Sequence, residues 1–228
     1  MSWLEVLGVV LAGTLVGLDL ASVPQAMFSR PIVAGMLGGL IVGDPLHGLA
    51  IGAILELFAM DSLPVGASRN PDWGPGTVAV GALAGEHPVI LASGLLGLVL
   101  VAVVAAWAGG WGSHLVRRAN VAAVAARRAA LDAGDLRALR AVQYGGLLRD
   151  AVRALAVTAL AFALGGLVSS LFARHWPGPQ QLAQVAISAT SIGVALHAGV
   201  RLAGSGRQSL WFVSGLAAGL LVVVTWLR

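Results

Sequence analysis

The sequence predicts an all-α, polytopic integral membrane protein with about six hydrophobic segments, including a re-entrant helical hairpin. Composition is the first reason: 58% of the 228 residues are apolar and 11% are charged, whereas soluble domains average about 45–50% and 25%. The second reason is the pattern of hydrophobic runs, two of which are short and interrupted by glycine, proline and acidic residues. We expect a single membrane domain over residues 1–228.

The same composition excludes several classes of function. The chain has no cysteine, and its five histidines are scattered, so we expect neither disulfides nor a metal site or cofactor. There is no Walker A loop, nucleophile elbow or HExxH helix, which predicts a protein without catalytic machinery of its own. The pI near 11.2 comes from arginines, and their positions between hydrophobic segments are those expected from membrane topology. Nucleic acid is therefore not an expected partner.

Residues 3–18 form the first apolar segment, which ends at Asp19. It lacks a basic leading region and carries Glu5, so we interpret it as a retained membrane segment rather than a signal peptide. Residues 20–30 form a polar connection that is broken by Pro24 and carries Gln25.

Two short runs, residues 31–43 and 46–60, follow this connection. At about 1.5 Å per residue each is only about 20–22 Å long, too short for the roughly 30 Å hydrocarbon core. Gly43, Asp44 and Pro45 separate them and predict a turn. We therefore expect residues 31–60 to enter the membrane and return. The alternative is one long kinked helix or two tilted ones.

Residues 61–76 are rich in proline and glycine and predict a packed loop. Residues 114–153 hold eight arginines against three aspartates, which predicts a cytoplasmic segment by the positive-inside rule. This segment is either a docking surface for a soluble partner or a topology-setting helix that contacts lipid phosphates. Three further hydrophobic segments follow at residues 154–172, 182–200 and 209–227.

The polar residues of the first third of the chain suit the binding of a polyol, because carboxylates, amides and guanidinium groups bind paired hydroxyls. Glu56 is the strongest candidate, since an acid inside a membrane segment is costly to bury and therefore indicates a functional site. Its alternative role is an ion pair with Arg30 or Arg69, and Asp44 is alternatively a helix cap. The full candidate set is Gln25, Arg30, Asp44, Glu56, Asn70 and Asp72, with Trp73 as a platform for a sugar ring.

The block QAMFSRPIVAGMLGGLIVGDPLHGLAIGAILELFAMDSLPVGASRNPD, residues 25–72, resembles the enzyme IIC subunit of the mannose/sorbose-type sugar phosphotransferase system. The similarity is dense over about residues 13–85, and beyond residue 90 it is limited to hydropathy and the order of segments. It rests on the positions Gln25, Ser29-Arg30-Pro31, Gly43-Asp44, Gly48, Gly52, Leu55-Glu56-Leu57, Leu63 to Ala67 and Pro71-Asp72. Ser68-Arg69-Asn70 departs from the small apolar residues common there, which puts the substrate range in doubt.

The resemblance implies a permease subunit that binds a hexose or amino sugar and carries it across the inner membrane by an elevator-like motion. Enzyme IID would be its membrane partner, in a trimer of heterodimers, while soluble IIB, supplied by IIA, would phosphorylate the sugar. The implied substrate-binding residues are Gln25, Arg30, Glu56, Asn70 and Asp72, and the implied structural turn residues are Gly43, Asp44, Pro45 and Gly66. The alternative is a non-transporting scaffold or sensor that docks phosphotransferase components.

Overall fold

The computed structural model describes residues 1–23, 25–62, 70–86, 91–203 and 214, and these residues form helices with no strand among them. The all-α prediction is therefore confirmed for this part of the chain. The sequence predicts a turn at Gly66 and a last segment at residues 209–227; Gly66 and all of 209–227 except Ser214 lie outside the described residues. The helices are α1 (Trp3–Asp19), α2 (Pro31–Ile41), α3 (Pro45–Ala59), α4 (Trp73–Glu86), α5 (Ala92–Ala125), α6 (Arg128–Asp132), α7 (Leu136–His175) and α8 (Gln180–Ala203).

Three helices of the described residues, namely α5, α7 and α8, are long and apolar enough to cross a membrane. Helix α5 has 34 residues and α7 has 40, so at about 1.5 Å per residue they extend for about 51 and 60 Å. Both exceed the roughly 30 Å hydrocarbon core, and their excess length lies in the arginine-rich part of the chain. We call residues 117–149 the arm; they contain the end of α5, all of α6 and the start of α7.

Helices α2 and α3 form a helical hairpin, because the chain reverses at Gly43, Asp44 and Pro45. Gly43 has a φ of +87°, a conformation that glycine adopts without strain. Asp44 caps α3 by accepting a hydrogen bond from the backbone N–H of His47 at 3.1 Å, and Pro45 occupies the first turn. The reversal is thus built from local chemistry. Its placement in a membrane stays a prediction.

Glycines allow the two arms of the hairpin to touch along their backbones. A Cβ on Gly35 would lie 2.8 Å from the Cα of Gly52, and one on Gly48 would lie 2.8 Å from the Cα of Gly39. Side chains at these positions would force the helices apart, as in the small-residue contacts of membrane helices. Helices α2 and α3 therefore pack backbone against backbone along this glycine contact.

Helix α4 is the central helix of the fold, since every residue from Trp73 to Gly85 is buried. The prediction of an irregular loop up to residue 76 is wrong at this point, because the helix begins at Trp73. Pro75 lies in the first turn, where its missing N–H has no intrahelical partner to lose. Close packing of the glycine-rich α4 against α2 and α5 holds it in place.

Candidate functional site

A buried ionic cluster joins four helices near the end of α1. The guanidinium of Arg153, on α7, forms an ion pair with Asp72 and donates to Asp150 at 2.8 Å. It also donates to the backbone carbonyls of Gly17 at 3.0 Å and Gly109 at 3.4 Å. One side chain thus fixes α1, the start of α4, α5 and α7 relative to one another.

Two sequence expectations change at this cluster. Asp72, expected to bind sugar, is fully buried with its carboxylate against Arg153, and its backbone N–H donates to Ala106 at 2.8 Å. Arg153, one of the eight arginines of the predicted cytoplasmic segment, is only 8% exposed. The reason is mutual: each charge is costly to bury without a partner, and Arg153 forms ion pairs with both Asp72 and Asp150.

A polar cavity of about 670 Å³ lies beside this cluster, between the end of α1 and the arm halves of α5 and α7. Residues 20–23 form one wall, and apolar residues of α5 and α7 fill the spaces between polar groups. Its polar lining residues are Ser22, Asn70, Ser113, Arg117, Asn120, Gln143 and Asp150. The volume lies within the range of about 300–1,000 Å³ that is usual for small-molecule sites.

The floor of the polar cavity is held in place by hydrogen bonds. Asp150 accepts from the Ser22 hydroxyl at 2.5 Å, and its other oxygen accepts from Arg153. Asn120 is fixed from outside, because its Oδ1 accepts from Arg149 at 2.9 Å. Amide, hydroxyl and carboxylate groups on a fixed scaffold are suited to binding a polyhydroxylated molecule.

The connection between α1 and α2 is ordered by Asp19, whose carboxylate accepts from the backbone N–H groups of Ala26 at 2.6 Å and Ser29 at 3.0 Å. Gln25 and Met27 have φ angles of 59° and 65°, an uncommon conformation for residues with a Cβ. Gln25 is exposed, and its amide donates to Ala21, which lines the polar cavity. The predicted residue Gln25 therefore lies next to the polar cavity, on a strained loop.

Arg30 and Glu56 form an ion pair at the open end of the hairpin. The second oxygen of Glu56 accepts from the backbone N–H of Ile32 at 3.2 Å, so the carboxylate ties α3 to the start of α2. The Arg30 side chain is 57% exposed and that of Glu56 is 16% exposed. An ion pair with Arg30 is the alternative role that the sequence predicts for Glu56, and neither residue lines the polar cavity.

The remaining candidates have structural contacts. Asp44, at the closed end of the hairpin, also accepts from the His47 ring at 2.6 Å, so both of its oxygens are used in capping α3. Trp73 is buried, and its indole donates to Ser62 at 3.1 Å, so it is not a free platform for a sugar. The described residues contain no group of acidic or histidine side chains that could hold a metal ion.

The structure therefore places Asn70 on the polar cavity and Gln25 next to it, pairs Arg30 with Glu56, and buries Asp72. Sequence reasoning missed Asn120, Gln143 and Asp150, which lie in the segment interpreted as a basic surface. A weak signal was present: the acid at 150 and the arginine at 153 are three residues apart on one helix face, at the edge of an apolar run.

Comparison with known proteins gives a family match over most of the chain. The family described as the sorbose-specific IIC component of the phosphotransferase system (PTS) matches residues 3–203. The mannose-specific EIIC component of Escherichia coli K12 is 30% identical over 141 residues, 61% of this chain and 51% of the relative. The sorbose-specific EIIC component of Lacticaseibacillus casei is 44% identical over 43 residues, 19% of this chain and 16% of that relative. The match thus spans about half the length of the mannose-specific relative and a smaller part of the sorbose-specific one.

Two solved structures share the fold. One, described only as a membrane protein, has a TM-score of 0.73 and 21% identity, and the match covers 100% of this chain and 95% of the other. The second is the mannose transporter ManYZ in complex with microcin E492, with a TM-score of 0.59, 20% identity and coverage of 100% and 94%. At these identities the likeness shows the fold alone.

Proposed function

This chain belongs to the family of sorbose-specific IIC components of the phosphotransferase system, and from that premise we propose that it binds a sugar and carries it across a membrane. The substrate class is a hexose or amino sugar of the mannose, sorbose or N-acetylgalactosamine type. The curated relatives, a mannose-specific and a sorbose-specific component, support this class. The membrane is the cytoplasmic membrane of a bacterium.

The polar cavity is the proposed sugar site, and its lining is the observation that carries the proposal. Asn70, from the block of residues that resembles the family, meets Asn120 and Gln143 from the two long helices there. Amide groups both donate and accept, so three of them around one cavity match the mixed donor and acceptor pattern of a sugar. Gln25 would reach the same sugar from the neighbouring loop.

The buried cluster would support this site rather than contact the sugar. Arg153 holds one oxygen of Asp150, and Ser22 occupies the other, so the acid has a fixed position at the floor of the cavity. Asp72 would act through Arg153. A carboxylate that is already oriented loses less freedom on binding a hydroxyl, which favours affinity.

The hairpin would be the re-entrant element of the transporter. Helices α2 and α3 have 11 and 15 residues, about 17 and 22 Å, shorter than the roughly 30 Å hydrocarbon core. Their open end carries the Arg30–Glu56 ion pair, and their closed end carries the Asp44 cap. In this proposal the hairpin moves as one body during an elevator-like step, since its arms touch through glycine backbones.

Phosphoryl transfer is assigned to partner subunits. The polar cavity contains amides, hydroxyls, one exposed arginine and one acid, a set suited to binding rather than to carrying a phosphoryl group. We propose that soluble IIB, supplied by IIA, phosphorylates the sugar, and that enzyme IID is the membrane partner in a trimer of heterodimers. The described neighbour ManYZ, a mannose transporter complex, supports a second membrane subunit.

The test is uptake of radiolabelled mannose, sorbose and N-acetylgalactosamine by cells that express the chain with its IID, IIB and IIA companions. The proposal expects sugar phosphate to accumulate, and expects Asn70→Ala and Gln143→Ala to raise the KM for uptake about tenfold each, the scale of one lost hydrogen bond. Arg140→Ala changes an exposed residue of the arm outside the polar cavity. This control variant should leave the KM for uptake unchanged. Intact complexes that accumulate none of the three sugars would instead indicate a scaffold or sensor.

A further inference from the structure

The outer face of the α5–α7 pair contains two cavities that the proposed function does not use. The first, which we call the apolar cavity, has a volume of about 390 Å³, and its ten lining residues are all leucine, valine or alanine. The second, which we call the arginine cavity, has a volume of about 410 Å³ and is lined by five apolar residues and Arg149. Val104 and Ala108 of the first and Leu115 and Ala119 of the second recur at helical spacing, so they follow one another along one stripe of α5.

We propose that this stripe binds one anionic phospholipid, with an acyl chain in the apolar cavity and the phosphate at Arg149. The separation of the two cavities fits a lipid. From Ala161 to Arg149 on α7 there are 12 residues, or about 18 Å. In a bilayer the headgroup layer lies about 15–22 Å from the midplane, so a chain that ends near the midplane places its phosphate at Arg149.

The geometry of Arg149 supports the polar end of this site. The guanidinium lies 3.5 Å from the point where a Cβ on Gly145 would stand, so the side chain runs toward the arm and away from the apolar cavity. This is the direction in which membrane arginines extend toward headgroups. One nitrogen donates to Asn120 at 2.9 Å, which fixes the group, and the ion pairs of the described residues do not include Arg149.

The charge of the arm selects an anionic headgroup. Between residues 117 and 149 the chain carries Arg117, Arg118, Arg127, Arg128, Arg137, Arg140 and Arg149 against only Asp132 and Asp135. The excess of positive charge on the arm favours an anionic headgroup over a zwitterionic one, and Arg149 is the arginine that lines a cavity next to the apolar one. Arg149 also holds Asn120 of the polar cavity, so lipid binding is measured in the absence of sugar, where its result does not depend on the sugar site.

The experiment is native mass spectrometry of the full chain in detergent, titrated with dioleoyl phosphatidylglycerol or dioleoyl phosphatidylcholine. The proposal expects one tightly bound lipid and a preference of about tenfold for phosphatidylglycerol, the scale of a charge-assisted hydrogen bond. Arg149→Gln should abolish the preference, and Val104→Trp should weaken both lipids because it fills the apolar cavity. Arg140→Gln, which removes the same charge from an exposed position of the arm, should keep most of the preference.

Three outcomes would overturn the proposal. Equal losses for Arg149→Gln and Arg140→Gln would indicate diffuse attraction without a site. Unchanged binding in Val104→Trp would exclude the apolar cavity as the chain-binding part, and a retained thermal midpoint in this variant would show that it is folded. Cross-linking of a single cysteine, Val104→Cys, to a second copy or to a companion subunit in membranes would show that a protein helix, not a lipid, covers the stripe.

Discussion

Arg153 should be the most consequential single charge in the described part of the chain. Its side chain is 6% exposed, and it binds Asp72 and Asp150, whose side chains are 0% and 9% exposed. Arg153→Met removes the guanidinium but keeps most of the apolar stem, so two carboxylates stay buried without their partner. Breaking a buried ion pair by removing one partner costs about 3–5 kcal/mol, and we expect a loss of that size in the free energy of unfolding.

The assay is unfolding in dodecyl maltoside by added sodium dodecyl sulfate, followed by circular dichroism. Arg140→Met is the control, since Arg140 is exposed and its substitution should change the free energy by no more than about 0.5 kcal/mol. Asp72→Asn should lower the free energy of unfolding by less than Arg153→Met does. In this variant the guanidinium still donates to Asp150 and to the carbonyl of Gly17.

The double variant Asp72→Asn with Arg153→Met separates the pair from other effects. Residues that share a network are not additive, so the double variant should lose about 1–3 kcal/mol less than the sum of the single losses. If Arg153→Met unfolds at the same detergent fraction as Arg140→Met, the cluster does not hold the four helices together and the reasoning is refuted.

Three further predictions concern the hairpin. Gly48→Ala should destabilise the protein by more than about 2 kcal/mol in the same unfolding assay, since its methyl would overlap the backbone of α2, whereas Gly193→Ala meets open space and should be neutral or gain up to about 1 kcal/mol. Glu56→Ala should abolish sugar uptake while co-purification with the companion subunit persists, because the carboxylate that ties α3 to the start of α2 at the open end of the proposed moving hairpin is lost; normal uptake would remove Glu56 from the mechanism. Asp44→Ala should destabilise the protein by about 1 kcal/mol in the unfolding assay, because α3 loses the side chain that caps its first turn, and an unchanged unfolding midpoint would contradict this role.

Local chemistry made the hairpin predictable. Gly43, Asp44 and Pro45 break the helix through effects that act within a few residues, and the two arms fall where the sequence places them. The start of α4 was missed for the opposite reason. Trp73 to Gly76 looks irregular by composition, and only packing against the surrounding helices makes it helical.

The buried cluster could not be predicted because its partners are distant in sequence. Arg153 is 81 residues from Asp72 and 136 residues from the carbonyl of Gly17. In the sequence it is one of several arginines in a basic segment, and only the tertiary fold distinguishes it from exposed members such as Arg140. The same holds for Asn120 and Gln143, which meet Asn70 only when α5 and α7 pack together.

Protection of the polar cavity by sugar shows whether this cavity is the sugar site. The chain has no cysteine, so Ser113→Cys on the cavity wall gives one reactive thiol, and Ala133→Cys on the exposed arm serves as a control. If sugar binds there, mannose, sorbose or N-acetylgalactosamine will slow the labelling of Ser113→Cys by a water-soluble maleimide and leave the labelling of Ala133→Cys unchanged. Equal labelling rates of Ser113→Cys with and without all three sugars would contradict it.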